Sequence, residues 1–171
     1  GVPFMTPSYA LTTRDVLAST FDRVFATATV RHPIDEWLSL DRLSLVHGRL
    51  SVADYLHGYR AFAEVVQDIG FVRYEDFTHD PDGVLQTLCA RLALPFDPGY
   101  RTRWADYTWI TGDVSRDGPP QRQIRPTRPK PYDPDLVQAF RASPDFAPAL
   151  ELLGYDPVPA SAGTVDATTA A

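Results

Sequence analysis

The chain has 171 residues, of which 44% are hydrophobic and 12% aromatic, enough apolar side chain to build the core of one ordinary domain. Its formal net charge of −6 and pI near 5.1 argue against a general affinity for nucleic acid or anionic membranes, because such binding requires a dense basic surface. No stretch approaches the roughly 18 continuous apolar residues of a membrane span, and no signal-peptide pattern opens the chain, so we expect a soluble, cytoplasmic protein.

A strand followed by a helix is the clearest pattern in the first third of the chain. Residues Val24 to Val30, VFATATV, carry no charge and are rich in β-branched side chains, which is typical of a strand buried on both faces in a parallel sheet. Arg31, His32 and Pro33 follow, and proline suits the first turn of a helix. The apolar spacing from Ile34 to Val46 predicts that this helix is half-buried.

The next segments repeat the alternation of helix and strand. Ser51 offers a hydroxyl N-cap, with a carboxylate three residues on, for a helix that should end at Gly70. Alternating side chains from Phe71 to Phe77 predict a second strand, and Asp80 with the following proline predicts the start of a third helix that extends to about Leu94. The order favours an α/β domain with a mainly parallel sheet over an all-helical bundle.

Cys89 is the only cysteine, so the chain cannot form an intramolecular disulfide. It falls in the apolar register of the third predicted helix, which favours a buried structural thiol. A chain with one cysteine fits a reducing compartment such as the cytoplasm.

Proline changes the character of the chain beyond Leu94, since 12 of the 16 prolines lie at position 95 or later. Long regular elements are therefore not expected there. Two short helices are predicted, from Pro134 to Ala142 and from Pro144 to Leu153, the second ended by Gly154. The tail 157–171 is small, polar and aperiodic, which predicts disorder.

Arg31 is the first candidate for chemistry. An arginine at the carboxyl end of a parallel strand stands where α/β sheets bind ligands, and its planar guanidinium can bind two phosphate oxygens at once. Ser39 lies eight residues later, one to two turns into the predicted helix, where a hydroxyl could bond the same anion. Alternatively, Arg31 caps the helix or pairs with Asp35, and Ser39 is a small packing residue. The physical chemistry of these residues favours neither interpretation.

Two segments resemble the sulfotransferase family. The segment FATATVRHPIDEWLS, which ends at Ser39, resembles the family's 3'-phosphate-binding strand and helix, with an arginine, a proline two residues later and a serine eight residues later. VRYEDF at 72–77, the following Asp-Pro helix start and the turn LALPF are similar to the family's RYEDL-like strand, helix and closing LGLPF-like turn. The resemblance implies that Arg31 and Ser39 hold the donor's 3'-phosphate and that Tyr74 lies near the adenine. Alternatively, Tyr74 is a half-buried strand tyrosine that packs on a helix.

A basic, proline-punctuated loop is the third candidate. The segment from Ser115 to Pro131 contains five basic residues and one acidic residue. The loop resembles a late sulfotransferase loop that closes over the 3'-phosphate, which implies that Ser115, Arg116 and Gly118 contact this group. The alternative is a solvated run of charge.

The resemblance further implies a P-loop-NTPase-like, three-layer α/β domain around a central, mainly parallel sheet. Residues 1–156 would form its C-terminal portion, N-terminally truncated, because the family's glycine-rich 5'-phosphosulfate loop has no counterpart in this chain. The donor implied is 3'-phosphoadenylyl sulfate, the product is adenosine 3',5'-bisphosphate, and the acceptor is a hydroxyl or amine that the sequence does not identify. No metal ligand spacing is present, and neither nucleic acid nor membrane is an expected partner.

A catalytic base is not identified. His32, His47, His57 and His79 match no catalytic position of the family, and the groups that assist sulfuryl transfer in the family lie in or near the missing part. Two other functions therefore remain open. One is a non-catalytic nucleotide-binding or interaction module with this fold, and the other is a small-molecule kinase of the same wider fold class.

Overall fold

The computed structural model describes residues 16, 17, 19–103, 124–126 and 131–156. Over these residues the chain is mixed α/β, mostly helical with a small two-stranded parallel sheet, which confirms the general α/β prediction. The strands are β1 (Ala28–Val30) and β2 (Phe71–Arg73). The helices are α1 (Pro33–Leu40), α2 (Val52–Ile69), α3 (Tyr74–His79), α4 (Pro81–Arg91), α5 (Tyr100–Arg103), α6 (Pro134–Ala142) and α7 (Phe146–Leu153).

The chain divides into two compact units. The first comprises residues 1–71 and 128–171 and contains β1, α1, α2, α6 and α7. The second comprises residues 72–127 and contains α3, α4 and α5. Among the described helices, none is both long enough and apolar enough to cross a membrane.

The first unit has a core built around α2. This helix packs against α1, α6 and above all α7, because it presents a stripe of apolar side chains with helical spacing. Aromatic rings fill its centre: Tyr55 lies 5.3 Å from Trp37 and 6.3 Å from Phe140 between ring centroids. The buried apolar side chains are Val30, Ile34, Trp37, Tyr55, Leu56, Tyr59, Ala63, Val66, Phe140, Phe146, Ala149, Leu150 and Leu153.

Both ends of α2 follow the sequence prediction. The Ser51 hydroxyl accepts a hydrogen bond from the Asp54 backbone N–H at 3.1 Å, which satisfies one of the amides that a helix start leaves without an intrahelical acceptor. Gly70 ends the helix with φ of 76°, a backbone conformation that favours glycine. An ion pair from Arg60 to Asp145 at 3.0 Å connects the surface of α2 to the start of α7, and Arg60 also pairs with Glu64 within α2 at 3.2 Å.

The second unit contains a well-capped helix. The Asp80 carboxylate accepts from the Gly83 backbone N–H at 3.0 Å, as expected for an N-cap followed by proline. Asp82 bonds the Tyr100 hydroxyl and the Arg101 guanidinium, each at 2.7 Å, so α5 is attached to the start of α4. The hydrogen bond from Arg101 is the main cause that lowers the pKa of Asp82 below its usual value, and the hydrogen bond from Tyr100 is the second.

The first predicted strand is shorter than expected and is not buried on both faces. Residues 24–27 are not part of β1, and Val24 and Phe25 are exposed. Within β1 the side chain of Val30 is buried while Thr29 is exposed. The uncharged composition indicated β propensity correctly, but strand length depends on how many partner groups a neighbouring strand supplies, and β2 has three residues.

The helix predicted to reach Val46 ends at Leu40. The chain continues as successive turns, in which the amide of Leu43 bonds the carbonyl of Leu40 at 2.9 Å and that of Val46 bonds Leu43 at 2.8 Å. Leu45 is 78% exposed. Apolar spacing alone was therefore not sufficient, because among the described residues Leu43 and Leu45 are exposed and a further helical turn would gain little from burying them.

The second predicted strand, Phe71 to Phe77, is also wrong beyond Arg73, where α3 begins. The Arg73 guanidinium bonds the Asp76 carboxylate at 2.7 Å, an i,i+3 pair that suits a helical turn. Tyr74 is therefore the first residue of a helix. Cys89 is half-buried rather than buried, and α4 has no fully buried residue.

The two short C-terminal helices are confirmed as α6 and α7. Asp133 caps α6 by accepting from the Asp135 amide at 2.8 Å, and Gly154 ends α7 in the left-handed conformation. The observed start of α7 is Phe146, two residues after the predicted start at Pro144. The tail 157–171 lies outside the described residues.

We expect Leu150→Ala to lower the free energy of unfolding by about 2–5 kcal/mol, because it opens a cavity where α7 packs on α2. Leu45→Ala is the matched control on the surface and should change this free energy by less than about 0.5 kcal/mol. Urea denaturation of both variants measures the difference. Equal losses would contradict the placement of the core.

Candidate functional site

Arg31 lies between the end of β1 and the first turn of α1, and it is half-buried. Pro33 occupies the first helical position, which its fixed φ angle favours and where a missing N–H costs nothing. The predicted order of strand, arginine, proline and helix is thus present. We call residues 31–33 the Arg31 turn.

Two tyrosines of α2 hold the backbone of the Arg31 turn. The Tyr59 hydroxyl donates to the Arg31 carbonyl at 2.6 Å, and the Tyr55 hydroxyl donates to the Pro33 carbonyl at 3.0 Å. The two side chains lie on one face of α2 because they are four residues apart. Both rings are buried, so each hydroxyl needs an acceptor inside the protein, and the turn supplies two.

Charges of both signs surround Tyr55. Burial raises its pKa well above the usual value, and the negative charge of Glu36 raises it further. The positive charge of Arg31 acts in the opposite direction.

His32 is the buried member of the Arg31 turn, with only 5% of its surface exposed. Its ring lies nearly parallel to that of Tyr132, with 6.2 Å between centroids and 12° between planes. The ring of Tyr155 meets it edge-on, at 5.5 Å and 84°. Residues before α6 and after α7 thus pack against the residue that follows Arg31.

Ser39 lies in the last turn of α1 and is exposed. It stands about 9 Å along the helix axis from Pro33, at the usual rise per residue. Ile34 and Trp37 form the buried face of α1, whereas Ser39 shares a face with Asp35, four residues earlier. An anion that bonds both Arg31 and Ser39 would therefore meet an acidic first turn.

Tyr74 belongs to the second unit, where it begins α3 and is 40% exposed. Ser115, Arg116 and Gly118 lie outside the described residues. The resemblance alone therefore supports the predicted roles of these four residues.

The remaining histidines, His47, His57 and His79, are exposed. His47 bonds Asp41 at 3.2 Å in an exposed turn, and His57 lies 3.5 Å from Asp145 on the surface. Within the described ranges, no group of three His, Cys, Asp or Glu side chains could hold a metal ion.

The sequence analysis missed the roles of Tyr55, Tyr59 and His32. A pair of tyrosines four residues apart on the apolar stripe of a helix was a usable signal, because buried hydroxyls require acceptors. It did not indicate which carbonyls would accept. No local signal connects His32 to Tyr132 and Tyr155.

Comparisons with protein-family models, with curated proteins and with solved structures find no match to this chain. The contacts of the Arg31 turn and the local sequence resemblance are therefore what bear on the function of this chain.

We expect Tyr55→Phe to lower the free energy of unfolding by about 0.5–1.5 kcal/mol at pH 8, because it removes the hydrogen bond to Pro33. This loss should shrink by up to about 1.4 kcal/mol for each pH unit above about 10. There the unfolded wild type ionises residue 55, whereas the raised pKa keeps the folded residue protonated, so wild-type stability falls as pH rises.

Urea denaturation of wild type and Tyr55→Phe at pH 8 and at pH 11 measures this change. The phenylalanine variant lacks the titrating group and so removes its contribution alone. A loss that is the same at both pH values would contradict the raised pKa.

Proposed function

We propose that this chain forms the 3'-phosphate-binding part of a sulfotransferase that transfers a sulfuryl group from 3'-phosphoadenylyl sulfate to a hydroxyl or amine acceptor. The observation that carries the proposal is the Arg31 turn. An arginine ends a strand, proline begins the next helix, and two buried tyrosine hydroxyls hold the backbone between them. The sequence motif that resembles the family is thus folded as strand, turn and helix.

The chemistry of the turn suits a phosphate. Arg31 would donate two parallel N–H bonds to phosphate oxygens from a backbone that Tyr59 holds, and the exposed Ser39 hydroxyl would donate one more. Asp35 and Glu36 lie in the first turn of α1. Their charges would oppose a loosely held anion, so affinity should depend strongly on the Arg31 contact.

The proposal includes the rest of the family's features. The small parallel sheet would belong to a P-loop-NTPase-like, three-layer fold, and adenosine 3',5'-bisphosphate would be the product released. Tyr74 as an adenine contact, and Ser115, Arg116 and Gly118 as phosphate contacts, stay predictions from the resemblance. The base that takes the acceptor proton is not assigned to a residue of this chain.

Calorimetric titration with adenosine 3',5'-bisphosphate, and with adenosine 5'-monophosphate as the ligand that lacks the 3'-phosphate, tests the proposal. We expect the bisphosphate to bind more tightly. Arg31→Ala should weaken its binding by about tenfold or more, because hydrogen bonds to charged groups contribute about 1.5–3 kcal/mol. Ser39→Ala should weaken it by a few fold.

Arg49→Ala is the matched control, since Arg49 is an exposed arginine of the same unit. It should leave both affinities unchanged. Equal affinity of the wild type for the two nucleotides, or unchanged bisphosphate binding in Arg31→Ala, would refute the proposal. Thermal melting of each variant verifies that it is folded.

A further inference from the structure

The side chain of His32 connects the Arg31 turn to two segments that are distant in the sequence. Tyr132 lies just before α6 and Tyr155 lies just after α7, and both rings pack on the imidazole. All three residues belong to the first unit. Nothing in the proposed phosphate contacts requires this arrangement.

The two ring contacts restrain the side chain of His32, whereas hydrogen bonds from Tyr59 and Tyr55 restrain the backbone of the two residues beside it. The Tyr59 hydroxyl donates to the carbonyl of Arg31, and the Tyr55 hydroxyl donates to the carbonyl of Pro33. A buried aromatic ring that packs against two other rings has few rotamers available, so the backbone at residue 32 is constrained as well. The side chain of Arg31 therefore extends from a backbone that is restrained at three consecutive residues, 31 to 33.

The environment of His32 favours packing over proton transfer. Both ring nitrogens are shielded from solvent, and only 5% of the residue is exposed. A general base must reach the proton that it abstracts, whereas this ring faces tyrosine side chains of the core edge. The role that fits is to hold a neighbouring group in place.

We infer that His32, enclosed by Tyr132 and Tyr155, is a positioning residue that orients Arg31 for the 3'-phosphate of the nucleotide. This inference rests on the proposed function and deepens it. Selectivity for the 3'-phosphate would depend on Arg31 and also on the ring contacts of His32 with Tyr132 and Tyr155. Groups fixed before binding lose less freedom when the ligand binds, so a fixed Arg31 discriminates more strongly.

The experiment measures selectivity, defined as the ratio of the dissociation constants for adenosine 5'-monophosphate and adenosine 3',5'-bisphosphate. His32→Ala should reduce this ratio by about fivefold, since it frees the backbone and side chain of Arg31. His32→Phe keeps an aromatic ring between the tyrosines and should retain the ratio within about twofold. His47→Ala, at an exposed histidine, is the control that should change nothing.

A double-mutant cycle separates positioning from general destabilisation. In the Arg31→Ala background, His32→Ala should have no further effect on the ratio, because the group that it positions is absent. Tyr132→Ala loosens the imidazole without changing residue 32 and should also reduce the ratio. This second variant keeps the test decisive if His32→Ala does not fold.

The outcomes distinguish the two proposals. A wild type that does not prefer the bisphosphate would refute the proposed function and the inference together. The wild type could instead prefer the bisphosphate and lose this preference in Arg31→Ala. If Tyr132→Ala and a folded His32→Ala then kept the preference, the inference alone would be overturned. An additive effect of His32→Ala in the Arg31→Ala background would also overturn it.

Discussion

The hydrogen bonds from two buried tyrosine hydroxyls to the carbonyls of Arg31 and Pro33 are the constraint on which the first unit depends. Tyr55 and Tyr59 lie in the middle of the core, where a hydroxyl without an acceptor would cost free energy. The Arg31 turn offers carbonyls at the right spacing. The same bonds therefore satisfy the core and fix the position of the turn that carries the candidate phosphate-binding arginine.

This constraint connects stability to the candidate site. The helix that carries both tyrosines is also the one that packs on α1, α6 and α7, so the core holds α2 and α2 holds the turn. His32 adds a second connection, from the chain around α6 and α7 to the same turn. A residue that binds an anion from a fixed backbone loses little freedom on binding, which is what recognition of a phosphate requires.

The errors of the sequence prediction share a physical cause. The apolar spacing from Ile34 to Val46 predicts one helix, yet α1 ends at Leu40, and among the described residues Leu43 and Leu45 are exposed. Residues 74–77 alternate like a strand, yet the pair between Arg73 and Asp76 accompanies a helix. Local patterns describe what a segment can form. Packing and pairing partners elsewhere in the chain decide which possibility is realised.

The sequence by itself determined the local features of this protein: the helix start at Pro33, the N-caps Ser51 and Asp80, the stop at Gly154, and the placement of Arg31 before a helix. These depend on caps and backbone preferences that act within about four residues. Only the tertiary structure decided which carbonyls the tyrosines bond, 22 and 28 residues away, and which rings enclose His32. Such contacts form between residues far apart in the chain, so no local pattern of side chains encodes them.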